Sequence, residues 1–191
     1  RVSQAIHAAL TLGRFPGEGE DSFAKRVLED SEAQAAKASE FGTRIHDAIA
    51  GYLSGSVKLL ADVALSSYLD SFIGWAKANI EEVHSVEKVV GHPSIGVAGR
   101  MDLDCTLKGV GRTICDFKSQ ALKKNEATFW DDWAYQLAAY SELSVIDATL
   151  GMLPRTMSVV IPSNEPGPVQ TKLWTVEEQE DGHEVFGHAL E

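Results

Sequence analysis

Hydrophobic and polar positions along the chain first follow a helical period. Ser22 to Glu40 is dense in Ala, Glu, Lys and Gln, all good helix formers. Phe41, Ile45, Ala48, Ile49 and Tyr52 then recur at helical spacing, which predicts a helix over Gly42 to Leu53 closed by Gly51 and a Ser54-Gly55-Ser56 turn. Leu65, Tyr68, Leu69, Phe72 and Trp75 predict another over Leu60 to Ile80. The period next changes to two. Val83 to Val90 is short and valine-rich, the mark of a strand, and Gly91-His92-Pro93 punctuates it. From Ile95 onward, Ile95, Val97, Gly99, Met101, Leu103, Cys105 and Leu107 take one face, while Ala98, Arg100, Asp102 and Asp104 take the other. Lys108-Gly109-Val110-Gly111 reads as a turn and Thr113 to Ser119 as the next strand. Phe129 to Val145 returns to helix, with Trp130, Trp133, Leu137 and Tyr140 on one side. Strands over Thr156 to Ile161 and Gln170 to Val176, joined by a Pro162 to Pro168 loop, and a closing helix over Glu177 to Leu190 complete the reading. No internal repeat or low-complexity segment interrupts it.

Composition narrows the classes. The 191 residues suit a single domain, 1–191, with a helical part over 1–82 and a sheet-containing part over 83–191. A hydrophobic fraction of 44% is enough for a core without staples. No apolar run spans a bilayer and no secretory leader is present, so a cytoplasmic place is the default expectation, an organelle remaining open. The chain opens on Arg1, so a preceding targeting segment also stays open. Cys105 and Cys115 form no CxxC pair and are expected as reduced core residues. A net charge of −11 argues against a broad basic surface. The charge is uneven, however. Between Val97 and Lys124 six Lys/Arg stand against three Asp, so the acidic excess lies elsewhere.

The chemistry concentrates in the hairpin. A turn centred on Gly109 sets Asp102 opposite Asp116, with Lys118 two residues further on the same face and Cβ atoms of opposed residues only ~4.5–5.5 Å apart. Met101, Leu103 and Cys105 would oppose Cys115 and Phe117 on an apolar face. Opposed carboxylates destabilise a sheet unless a cation lies between them. Mg²⁺ is held by one or two carboxylates and keeps positions for water and phosphate, and a neighbouring lysine can steady developing charge. The alternative is a surface charge cluster in which Lys118 simply pairs with Asp116.

Gly99-Arg100-Met101-Asp102, Cys115-Asp116-Phe117-Lys118 and Gln136-Leu137-Ala138-Ala139-Tyr140, preceded by Gly42-Thr43-Arg44-Ile45-His46 and by Glu87, resemble the ordered motifs of the RecB-type branch of the PD-(D/E)XK nuclease superfamily. The pattern is similar to that of exonucleases of the mitochondrial-genome-maintenance type and their phage and bacterial relatives. The resemblance covers about Phe41 to Tyr140. It implies an α/β, restriction-endonuclease-like fold with a mixed central sheet flanked by helices and a helical N-terminal region. It also implies phosphodiester hydrolysis of DNA, with single-stranded ends preferred, in repair, recombination or replication. Asp102, Asp116, the Phe117 carbonyl and His46 would be metal ligands, Lys118 the catalytic lysine, and Glu87 an acid near the metals. Gln136 would hold the lysine or a phosphate. Mg²⁺ or Mn²⁺ is the implied cofactor, imidazole favouring Mn²⁺. Without the four-cysteine signature, no iron–sulfur cluster is expected. Arg44, Arg100, Lys123, Lys124 and Tyr140 are candidate substrate contacts, and Trp130 and Trp133 are either base-stacking or core. Two other readings are a nucleic-acid-binding module of the same fold without catalysis and an acidic protein-binding domain.

Overall fold

The computed structural model describes residues 12–56, 63–93, 96–145 and 153–188. The chain divides into two compact units, Arg1–Arg44 and Ile45–Glu191. Helix α1, Glu20–Leu53, runs from the first into the second. The two helical stretches read on either side of Gly42 are thus one helix: a single glycine costs only ~1 kcal/mol against Ala, too little to end it. In the first unit the turn before α1 is tied by Glu18. Its carboxylate accepts from Phe15 N–H at 3.0 Å and from Arg26 at 2.7 and 3.1 Å, and the Arg26 guanidinium lies 4.2 Å from the Phe15 ring centroid.

The second unit carries the sheet. After α2, Val63–Asn79, come β1 (Ile80–His92), β2 (Val97–Leu107), β3 (Gly111–Gln120), α3 (Asp131–Val145), β4 (Arg155–Pro162), β5 (Gln170–Leu173) and α4 (Val176–His188). The expected residues Leu60, Ile95 and Leu190 lie outside the described ones. The strands stand in the order β1-β2-β3-β4-β5. All neighbours are antiparallel except β3 and β4, which run parallel through the α3 crossover. This is a mixed sheet flanked by helices, the restriction-endonuclease-like arrangement. β1 begins earlier than its valines suggested because Glu81, Glu82 and His84 sit exposed on an edge strand, where polar residues mask the alternation. β5 ends at Leu173; Trp174 turns inward, fully buried, with its indole N–H donating to Ser158 Oγ at 3.0 Å.

Apolar residues cover both faces. Val90, Met101, Ile114, Ala134, Leu137, Leu143 and Trp174 form one cluster beneath α3. On the other face Phe117 meets Phe72 of α2 edge-on, ring centroids 5.3 Å apart; each such buried ring contributes roughly 1.5–3 kcal/mol. Cys105 and Cys115 are both buried and free, their sulfurs 4.0 Å apart. The hairpin register is the expected one, Leu103↔Cys115 to Leu107↔Gly111, with Gly109 and Gly111 at φ 73 and 99 in the turn. One expectation fails. Met101 does not share the face of Leu103 and Cys105 but joins Ile114 and Leu137 under α3. The β2–β3 ladder stops at Leu103↔Cys115, and in β1 Glu87 has φ 52 between the paired residues Val86 and Lys88. Such irregularities re-aim side chains within a strand, and this one lies at Asp102.

Candidate active site

Freed from the regular ladder, the Asp102 carboxylate accepts from Phe117 N–H at 2.7 Å through Oδ2. Its Oδ1 lies 3.7 Å from Nδ1 of His46, on α1. Glu87 completes the cluster: ligand atoms of His46, Glu87 and Asp102 all lie within 4.8 Å of one another. Arg100 reaches across from β2 to Glu87, Nε to Oε2 at 2.8 Å.

Asp116 and Lys118 sit beside this cluster on β3, alternate residues of one face. Asp116 is 4% exposed. Lys118 Nζ donates to its Oδ1 at 2.9 Å and to Gln136 Oε1 on α3 at 3.1 Å. The same nitrogen is 2.8 Å from Oδ2, which has this ion pair but no hydrogen-bond donor among the described residues. Gln136 in turn donates to Tyr140 Oη at 3.0 Å, one helical turn on. The Tyr140 ring lies over Gly99, where an added Cβ would fall 2.5 Å from Cε1. Only glycine leaves that space.

The electrostatics reflect burial and the crowding of three carboxylates. Burial, with Asp102 adding to it and Lys118 opposing, pushes the Asp116 carboxyl up to about 6. Burial and Asp102 raise Glu87 as well, against Arg100 and His46. Burial works against a charged His46, but the neighbouring carboxylates of Asp102, Asp116 and Glu87 outweigh it and raise the imidazole. The partly buried carboxylates of Glu87 and Asp102, the buried one of Asp116 and an imidazole suit a hard divalent cation that tolerates one nitrogen.

The profile of the PD-(D/E)XK nuclease superfamily matches residues 4–187. The chain belongs to the PD-(D/E)XK nuclease superfamily. Nucleases of this superfamily use divalent metal ions, and the acidic cluster is in keeping with that. The fold is similar to a crystal structure of a candidate exonuclease from Eubacterium rectale, with a TM-score of 0.51 and 12% identity. The match covers 76% of this chain and 63% of that one, so the chain spans under two thirds of that relative. No curated protein matches the sequence.

The other expected residues of this superfamily member are more dispersed. Phe117 offers its N–H to Asp102, as above, while its ring lies 6.1 Å from that of His46. Arg100 is exposed but occupied by Glu87. Arg44 is exposed on α1, two residues before His46. Lys123 and Lys124 are exposed in a turn beyond β3. Two features went unread in the sequence. Trp133 places its ring 5.6 Å from Lys118 Nζ, and Trp130, grouped with it on one helix face, is 54% exposed because α3 starts only at Asp131. Its position just before a pair of aspartates, natural first-turn residues, is the signal that could have shown this. Among the described residues no helix is long and apolar enough to cross a membrane.

Proposed function

We propose that this chain is a divalent-metal-dependent nuclease of the RecB-type branch that hydrolyses DNA phosphodiester bonds. In this reading it is an exonuclease preferring single-stranded ends, serving repair, recombination or replication. Residues 1–191 act as one nuclease domain. The observation that carries the reading is the lysine clamp. Lys118 is held by Asp116 and Gln136 from two different elements, beside the His46, Glu87 and Asp102 cluster. A surface charge cluster needs no such fixing of one amine from two elements.

Asp102, Asp116 and His46, with Glu87 and the Phe117 carbonyl beside them, would hold Mg²⁺ or Mn²⁺. A divalent ion there supplies Lewis-acid chemistry: it lowers the pKa of water and offsets charge on the phosphate. The chain's own part is positioning. An ammonium has three donors; Asp116 and Gln136 take two, and the third can meet the attacking water or a phosphate oxygen. Water oxygen bonds to phosphorus, the P–O ester bond breaks, and the leaving oxygen takes a proton. Tyr140 fixes the Gln136 amide so that its carbonyl oxygen faces Lys118. Arg44, Arg100, Lys123 and Lys124 are the candidate phosphate contacts, which position without reading sequence.

The test is cleavage of end-labelled single-stranded DNA, duplex DNA and RNA in Mg²⁺ and in Mn²⁺, with Lys118→Ala beside the wild type and circular or end-blocked substrates in parallel. Removing one charge-stabilising donor is expected to slow turnover by about 10²–10³. Loss of cleavage on closed circles supports the exonuclease. If the wild type cuts nothing in either metal, the enzyme is abandoned for a binding module of the same fold.

A further inference from the structure

The face of β3 that carries Asp116 and Lys118 continues to Gln120, and Gln120 begins a separate construction. Its side-chain amide closes on Thr128 from both ends, Oε1 accepting from Thr128 N–H at 2.8 Å and Nε2 donating to Thr128 C=O at 3.0 Å. A second glutamine, Gln170 at the start of β5, does the same further out. Its Oε1 accepts from Ala127 N–H and its Nε2 donates to Asn125 C=O, both at 2.8 Å. Asn164 takes Leu122 N–H at 3.0 Å. Ten residues of connection, Ala121–Trp130, are therefore anchored by three side chains from outside the segment.

The tip is a two-residue turn. Glu126 N–H donates to Lys123 C=O at 3.1 Å, and Lys124 and Asn125 take φ 54 and 62. Positive φ at both central residues defines the I′ turn, which Asn and Gly favour. A lysine there is held at a cost of order 1 kcal/mol or more, which persists only where surroundings fix it and which concentrates at binding sites. Lys123 and Lys124 have no ion-pair partner among the described residues. The base of the segment is Trp130. Tryptophan is among the more deeply buried residues on average, yet this one is 54% exposed. Its C=O accepts from Trp133 N–H at 3.0 Å, and the Trp133 ring is the one beside Lys118. One fixed segment thus presents an open indole a helical turn before Trp133, whose ring lies 5.6 Å from Lys118 Nζ, and two exposed lysines at its far end.

From this we propose that Ala121–Trp130 is a preformed contact arm for single-stranded DNA, Trp130 stacking on a base and Lys123 and Lys124 holding phosphates. The inference rests on the nuclease reading of the neighbouring site and extends it to the substrate. An indole face accepts any unpaired base, whereas a duplex offers its bases stacked and closed. The acidic neighbours fit this choice. Glu126, Asp131 and Asp132 are exposed on or next to the arm. They oppose a phosphate backbone lying along its whole length and leave the lysine tip as its contact. A strand whose bases turn toward Trp130 meets that pattern; the two-sided backbone of a duplex does not.

Binding is measured on the full chain in EDTA, so that nothing is cut, by anisotropy of a labelled oligo(dT) and of a short duplex. Trp130→Ala is expected to weaken oligo(dT) binding about tenfold or more, from the ~1–3 kcal/mol carried by one stacked base. Trp130→Phe, which keeps a π-face, should recover most of it. Duplex binding should change little. Lys123→Ala with Lys124→Ala should lower the salt slope on oligo(dT) by about 1.4, two contacts at ~0.7 each. Far-UV circular dichroism melts confirm that each variant folds. No oligo(dT) binding by the wild type, equal loss on both substrates, or unchanged binding by Trp130→Ala overturns the arm. Those results leave the nuclease reading standing if the wild type still cleaves in Mg²⁺. Absence of cleavage with normal oligo(dT) binding removes the enzyme and keeps the arm.

Discussion

Asp116→Asn should stabilise the metal-free protein near neutral pH. In the folded chain this carboxyl is pushed from 3.8 up to about 6, first by burial and then by Asp102, with Lys118 opposing. The folded state therefore prefers the protonated acid. A displacement of about 2 units corresponds to ~3 kcal/mol, and at 4% exposure there is little solvent to screen it. The sign follows from linkage. A raised carboxyl supports the fold fully below its unfolded value near 3.8, and that support is lost as pH rises through about 6. Above this point the whole cost is present. Asn at the same place is neutral at every pH. Its oxygen can still accept from Lys118, but its amide N–H takes the place of Oδ2, 2.8 Å from the same ammonium, so Lys118 has to shift to keep two donors apart. Part of the gain is lost with the ion pair, so a net ~1–2 kcal/mol is expected, several degrees of Tm for a chain of this size. The assay is a pair of thermal melts in EDTA, at about pH 7.5 and at about pH 4, the gap between wild type and variant being the quantity read. The gap should be positive at the higher pH and close at the lower. Added Mg²⁺ or Mn²⁺ should then raise the wild type and hardly move Asp116→Asn. A variant less stable than wild type in EDTA at the higher pH, or a gap that does not change with pH, refutes the account of Asp116 as a buried charge that Lys118 compensates only in part.

Three further outcomes follow from contacts around the same strands. Gly99→Ala drives a methyl to 2.5 Å from Tyr140 Cε1; overpacking of this kind costs about 1–3 kcal/mol, visible in urea melts, and moving Tyr140 should lower kcat through Gln136. His46→Ala removes the one nitrogen donor of the cluster and should narrow any preference for Mn²⁺ over Mg²⁺, read from the metal dependence of Tm as well as of cleavage. Asp104→Asn weakens the pair with Arg112, 2.7 Å apart, 4% exposed on the Asp104 side chain and 28% on that of Arg112; the guanidinium left behind reaches water, so the cost is that of hydrogen bonds to a charged group, about 1.5–3 kcal/mol, measured by denaturant unfolding in EDTA.

How much of this was legible in the sequence depends on how local each cause is. The β2–β3 register was, because two turn glycines and period-two alternation lie within one hairpin. The face reversal at Met101 was not. It arises where Glu87 takes φ 52 on the neighbouring strand, and no spacing within β2 encodes the backbone of β1. Asp116 and Lys118 could be placed together from alternation alone. Gln136 was placed beside them only by family resemblance, since α3 reaches Lys118 through the crossover and nothing local relates the two. Trp130 shows the opposite error. Helical spacing assigned it to the stripe of Trp133, Leu137 and Tyr140, but that spacing holds only inside a helix, and the helix starts one residue later at Asp131.

Irregular backbone at the candidate site is thus where reading by period fails, and the failures share a cause. Asp102 leaves the ladder so that its carboxylate can take Phe117 N–H and face His46. Glu87 takes an unfavourable φ so that its carboxylate joins the same cluster. Lys124 and Asn125 do likewise at the tip of the clamped segment. A position at positive φ is normally relieved by glycine, yet here an acid and a lysine are kept. In both places a charged side chain is retained where the backbone alone would select another residue. Periodic patterning describes what a chain does to bury its apolar surface; departures from it mark where another demand, here the gathering of charge about one end of β3, outweighs roughly a kcal/mol of backbone strain.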